Sequence, residues 1–218
     1  MKTRRRADAA LCAAAALGIL LGSGAAVAQT AEPGSVIERA LESRTKGDPE
    51  ARVVVFEIAD FQCPFCARFA QTVAPELDER YVATGKIQWV FVNLPLHTHA
   101  LAWHAAEAAL CAGVAGDRFW PMHDHLFANQ KAWGALADPG PRFEEYAREL
   151  GVPLEPYRSC VAYDQVASLI LQDVASSVSA RIDGTPTFII MKGDTVIERM
   201  MGVQSVEEWS KLLDDALQ

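Results

Sequence analysis

Residues 53–58, Val-Val-Val-Phe-Glu-Ile, form an apolar, β-branched run too short for a core helix, and this predicts a buried strand. After Pro64 the pattern changes. Phe65, Phe69, Val73, Leu77 and Tyr81 recur every fourth residue, which predicts a helix that opens at Pro64 and ends at Gly85. Proline suits the first helical position, because its missing N–H would have had no partner there. Residues 87–92 alternate as a second strand. From 97 to about 182 the chain is helical in character, over 101–111, 118–127, 141–150 and 156–180, with Gly and Pro breaks between. Strand character returns at 187–191 and 196–200 around a Lys192-Gly193-Asp194 turn, and 207–217 closes the sequence as an amphipathic helix. Residues 29–50 are polar and turn-rich apart from a short amphipathic stretch at 36–41, and read as an N-terminal extension.

The order is therefore β-α-β, a long helical block, then β-β-α. The helical crossover makes the first strand pair parallel. The tight turn makes the last pair antiparallel. An α/β fold follows: a mixed central sheet with flanking helices in a domain over 51–218, carrying an inserted helical subdomain at about 97–182.

Composition changes that picture at the N-terminus. Lys2, Arg4, Arg5 and Arg6 precede an apolar run over 9–21, and Ala26-Val27-Ala28 has the small-x-small pattern a signal peptidase accepts. Residues 1–28 thus read as a cleavable signal peptide, or as a membrane tether if uncleaved. The Arg pairs lack the apolar residues expected just after a twin-arginine signal, so the general secretion route is expected. Cys12 precedes the apolar run and is not placed for lipid attachment. Removing the leader leaves 16 Lys+Arg against 27 Asp+Glu, a net charge of −11, compared with −8 for the whole chain. That acidity argues against a nucleic-acid partner, and no other apolar run reaches the ~18 residues of a membrane span. The expectation is a periplasmic, soluble, monomeric domain.

Four cysteines remain: Cys63, Cys66, Cys111 and Cys160. In an oxidising compartment an even number suggests disulfides, but the spacing is lopsided. Cys63-Pro64-Phe65-Cys66 follows a strand and opens a helix. Spacing of three puts both sulfurs on one side of it, within disulfide reach. Cys63 faces free N–H groups and the positive end of the helix dipole, which favour thiolate over thiol. It reads as the exposed attacking sulfur and Cys66 as the resolving sulfur one turn inside. An inert staple across one turn would constrain little chain entropy, and a metal site would need a second ligand pair that Cys111 and Cys160 do not form.

These residues carry a resemblance. Phe56 to Cys66, Gly184-Thr185-Pro186-Thr187-Phe188, and Phe119-Trp120-Pro121-Met122-His123-Asp124 with Leu126 to Gln130 resemble the DsbA-like thiol:disulfide oxidoreductases of the thioredoxin superfamily. The resemblance spans nearly all of 48–218 and implies a thioredoxin fold. It implies that Pro186 is the cis-proline beside the active disulfide and that Thr185 offers its backbone to an extended substrate peptide. Pro64 and Phe65, between the cysteines, join the substrate-binding positions. It also implies that Glu57 is the buried acid that assists proton transfer to Cys66. A lone carboxylate in an apolar strand is costly without a task or partner, the other reading being a Glu on an exposed edge. Phe65 departs from the best-known oxidase pattern, since it stands where a histidine would help stabilise the Cys63 thiolate and can neither donate nor carry charge. Cys111 and Cys160 read first as an inter-helix structural disulfide, with buried free thiols or a second redox pair as alternatives.

The function expected is a periplasmic oxidoreductase donating disulfides to unfolded or partly folded exported proteins, without metal or organic cofactor, and reoxidised by a membrane redox partner. The alternatives are an isomerase or reductase on the same fold, or a Cu(I) chaperone using Cys63 and Cys66 as soft ligands. An isomerase of this kind needs a dimerisation domain, for which residues 29–52 are too few. His97, His99, His123 and His125 are expected at the surface or capping helices, and Trp103, Trp120 and Trp133 packing the helical insertion.

Overall fold

The computed structural model describes residues 34–218. The expected signal peptide lies outside the described residues. Five strands form one mixed sheet in the order β1-β3-β2-β4-β5. They are β1 (Thr45–Gly47), β2 (Val53–Ala59), β3 (Gln88–Asn93), β4 (Thr187–Lys192) and β5 (Thr195–Met201). β2 runs parallel to β3 and antiparallel to β4, and β4 pairs antiparallel with β5, as expected for a crossover followed by a hairpin. Helices α1 (Val36–Ser43), α2 (Pro64–Thr72), α3 (Ala74–Leu77), α4 (Ala102–Gly116), α5 (Phe119–Ala128), α6 (Gln130–Trp133), α7 (Gly140–Glu149), α8 (Leu154–Ala162), α9 (Ala167–Ser179) and α10 (Val206–Leu217) surround it.

Besides the stretch read as helical over 156–180, which is two helices, α8 and α9, parted by a turn where Asp164 takes φ 49°, two elements differ from expectation. The helix after Pro64 is not continuous: it breaks at Val73 and, after α3, widens into a π-helical turn over Asp78–Val82. Pro75 has no N–H for the continuing ladder. A strict period of four also drifts ahead of a 3.6-residue turn, and the wider π-turn takes up that drift. Phe69, Val73, Leu77 and Tyr81 are buried, but Phe65, the first of the series, is 53 % exposed. The second difference is at the N-terminus. Within the stretch read as an extension, α1 packs on α4 and β1 pairs antiparallel with β3. Gly47 closes β1 at φ 95°, where an added Cβ would collide with the Ile87 carbonyl.

Three apolar clusters hold the fold. One joins the turn before α2 to α4, α5, α7 and α8. A second fills the sheet face under α2 and α10, with Phe69, Trp89, Phe188 and Trp209 in mutual ring contact. A small third lies on the opposite face, around Ile58, Leu94 and Ile182. A buried ion pair, Arg44 Nη1 to Asp173 Oδ2 at 2.5 Å, ties α9 to the end of α1. Among the described residues no helix is long and apolar enough to cross a membrane.

Candidate active site at the start of α2

The site lies beyond the carboxyl end of β2, the central strand, where ligands of open α/β sheets gather. Asp60 builds the turn that follows. One carboxylate oxygen accepts from Gln62 N at 2.6 Å. The other accepts from Leu96 N at 2.7 Å and sits 2.8 Å from His99 Nδ1. Gln130, from α6, closes the turn from the other side: its Nε2 donates to the carbonyls of Phe61 (2.8 Å) and Cys63 (2.9 Å). Cys63 is the N-cap of α2 and Pro64 its first, exposed residue.

Cys63 and Cys66 are free thiols, and they are unlike each other. The Cys63 thiol is lowered from its ordinary value of 9.0 to about 5, foremost because the Cys66 thiol donates to it, with the N–H groups of Phe65 and Cys66 adding to the effect against the opposing cost of burial. Burial pushes the Cys66 thiol well up, and the neighbouring Cys63 adds to that. Cys63 was expected to be exposed, yet only 4 % of it is accessible. The cover comes from the loop before β4: the thiol sits 3.3 Å from the Thr185 carbonyl oxygen, close enough to donate to it, and the Thr185–Pro186 bond is cis. Pro186 is buried and Thr185 half-buried. Phe65 is the open apolar surface beside the cysteines, its ring 5.4 Å from the Arg68 guanidinium.

Glu57 lies on the β2 face shared with Val53 and Val55, by the two-residue period of a strand. It is buried, not at an exposed edge. Trp89 Nε1 donates to its Oε2 at 2.8 Å, while Oε1 has no hydrogen-bond partner among the described residues. Burial raises its carboxyl; His123, the Trp89 bond and Lys46 oppose that. Glu57 lines a cavity of about 410 Å³ together with Lys46 of β1 and with Ala70 and Gln71, from the turn of α2 that follows Cys66.

Away from this site, Cys111 of α4 and Cys160 of α8 form a disulfide with a 2.02 Å S–S bond. Trp133 is fully buried in the helical cluster, and Trp103 packs against it. Trp120 reaches further: it meets Phe91 of the sheet and carries Lys46 Nζ 3.9 Å above its ring. His123 departs from expectation. It is neither at the surface nor a cap but buried, with rings of Phe61, Phe91, Phe119, Trp120 and Phe127 around it. Phe119 and Phe127, four residues to either side, put it on the apolar stripe of α5, and that spacing was the available signal. Gln130 falls in the Leu126 to Gln130 stretch that carries the resemblance, but no local pattern marks its role, since its partners are carbonyls 67 and 69 residues away.

A family model described as Thioredoxin matches residues 39–215. A Na(+)/H(+) antiporter, NhaA 3 of Salinispora tropica, is 37 % identical over 146 residues, covering 66 % of this chain and 21 % of its own. A protein of Rickettsia prowazekii named as a protein-disulfide oxidoreductase is 28 % identical over 178 residues, covering 78 % of this chain and 60 % of its own. The chain thus spans about a fifth of the first of these relatives and three fifths of the second. The crystal structure of α-DsbA1 from Wolbachia pipientis superposes at a TM-score of 0.70 with 21 % identity, over 80 % of this chain and 90 % of that one. With the match running through the sheet, the cysteine pair and the helical insertion, the chain belongs to the thioredoxin family and has the DsbA-like form of its fold.

Proposed function

We propose that this protein is a thiol:disulfide oxidoreductase that donates the Cys63–Cys66 disulfide to exported proteins. One observation carries the reading: two thiols on one helical turn, the outer held ionised near neutrality and the inner held protonated, beside the Thr185 carbonyl and Pro186. A substrate thiolate attacks Cys63, the Cys63–Cys66 bond breaks, and Cys66 leaves with the electron pair and takes up a proton. A second substrate thiolate then displaces Cys63 as a stabilised thiolate, which makes it a good leaving group. Thr185 holds the substrate backbone as an added strand and Phe65 its apolar side chains. Glu57 supplies the proton to Cys66.

Stabilising the Cys63 thiolate stabilises the reduced pair, and this supports donation over reduction. The N-terminal leader pattern supports a periplasmic site of action, with reoxidation by a membrane redox partner. The test is the reduction potential of the pair against glutathione buffers. A value between about −120 and −180 mV fits a donor, and one near about −270 mV a reductase. Alongside it, Cys63→Ser abolishes exchange and Cys66→Ser accumulates mixed disulfides with oxidised proteins. A folded Cys66→Ser that traps none sinks the assignment.

A further inference from the structure

Cys66 is buried and must gain or lose a proton at each turnover, so the site needs a path for that proton to water. Glu57 is itself buried and does not reach the surface. It lines the cavity already described together with His123, whose Nε2 is likewise buried and without a hydrogen-bond partner among the described residues. Two buried polar atoms lining one cavity are costly unless water joins them. At about 410 Å³ the cavity has room for several waters, each needing about 30 Å³.

The rest of the cavity wall suits an outlet. His123 Nδ1 lies 2.8 Å from Asp124 Oδ1, and the Asp124 side chain is 74 % exposed. A carboxylate at Nδ1 fixes the proton of the neutral ring on that nitrogen and leaves the buried Nε2 as the acceptor. The same carboxylate steadies the imidazolium once Nε2 is protonated, as an acid behind a catalytic histidine does. On the far side Lys46 Nζ, stacked on Trp120, is 2.5 Å from Asp78 Oδ2. The charged or titratable groups that line the cavity with the pair are therefore Lys46 from β1, Asp78 from the π-turn and Asp124 from α5.

Resting on the thiol-exchange reading above, we propose that His123 is a positioning residue of the redox site, which relays through cavity water the proton that Glu57 exchanges with Cys66. In the donating direction the substrate sulfur bonds to Cys63, the Cys63–Cys66 bond breaks, and the electron pair stays on Cys66. Cys66 takes the proton from the Glu57 carboxyl, water returns one to Glu57, and His123 replaces it from solvent. The reverse direction runs the same path outward. Neither direction consumes anything beyond the substrate dithiol or disulfide.

The experiment compares wild type with His123→Phe, which keeps an aromatic ring in the Phe61–Phe127 cage. Reduction of the oxidised pair by dithiothreitol is followed by acid quench and alkylation from pH 5.5 to 8. The expected result is a rate lower by about tenfold near neutrality, short of the roughly hundredfold typical of a direct acid–base group. The pH profile of the variant also differs from that of the wild type, and free imidazole restores part of the rate. Titration of Cys63, read at 240 nm, stays in place. Equal rates and profiles in a folded variant overturn the relay, and so does a uniform loss that imidazole does not rescue. If His123→Phe does not fold, Asp124→Asn at the exposed position takes its place, with a drop of about threefold and a shifted profile expected; an unchanged profile there overturns the relay. A wild-type protein that exchanges no disulfide fails the functional reading itself, whereas exchange without any dependence on His123 fails the relay alone.

Discussion

The carboxamide of Gln130 holds the carbonyl of Cys63 at 2.9 Å and, with the same nitrogen, that of Phe61 at 2.8 Å. α6 thus clamps the turn from which the Cys63 sulfur projects. The Cys63 carbonyl also accepts the first helical bond, from Ala67 N at 3.1 Å. Gln130→Ala leaves the Phe61 carbonyl without its donor, at a cost of about 1–3 kcal/mol. Exchange slows by roughly tenfold through misplacement of Cys63. Gln130→Glu keeps the shape but offers no donor to two carbonyls, so it should be the worse of the two variants. Thermal unfolding and the dithiothreitol reduction rate check the order, and a Glu variant as good as wild type removes the clamp.

The Cys63 thiol, lowered from 9.0 to about 5, links redox state to pH. A depressed acid stabilises the fold above its unfolded value and loses that contribution as pH falls through its folded value. Reduced protein is therefore most favoured over Cys63→Ser near pH 9, the difference shrinks toward pH 5, and below that it is gone. Urea unfolding at three pH values measures it. Alkylation by iodoacetamide should show a midpoint near pH 5, and Cys66→Ala, which removes the largest cause of the shift, should move that midpoint upward. A wild-type midpoint of 8 or above contradicts the site's electrostatics.

How much of this was legible beforehand depended on the kind of force at work. The strands at 53–59 and 187–192 and the cysteine turn carried their signal in local pattern: an apolar run, a period of two, and Cys-Pro-Phe-Cys at a strand-to-helix junction. Thr45-Lys46-Gly47 has no such pattern, and it is a strand because β3 offers an edge to pair with. Pro75 announced the break in the helix after Cys66, but the four-residue series of apolar residues masked it. His123 and Gln130 matter through partners far along the chain, which periodicity does not reveal.

Cys111 and Cys160 close a loop of 49 residues between α4 and α8. Loop closure of that length is worth about 2–4 kcal/mol. The double Cys111→Ser, Cys160→Ser variant should lose about that much in urea unfolding while exchanging disulfides at the wild-type rate, because neither sulfur adjoins the Cys63 turn. Full stability with a displaced reduction potential would make the pair a regulator of the first.

Asp173 of α9 gathers three donors in the interior: Arg44 Nη1 at 2.5 Å, the backbone N–H of Asn93 at 2.9 Å and the Asn93 side chain at 3.2 Å. Both charged side chains retain only 6 % exposure, so each depends on the other for its charge. Removing one partner strands a buried ion. Asp173→Ala or Arg44→Met alone should therefore cost about 3–5 kcal/mol. Replacing both, as Arg44→Met with Asp173→Leu, removes the two desolvated charges together and leaves only the Asn93 donors unsatisfied, about 1–3 kcal/mol. The double variant should then be more stable than either single one. Denaturant unfolding of the four proteins checks this, and additive losses would mean that the ion pair does not couple α9 to the end of α1.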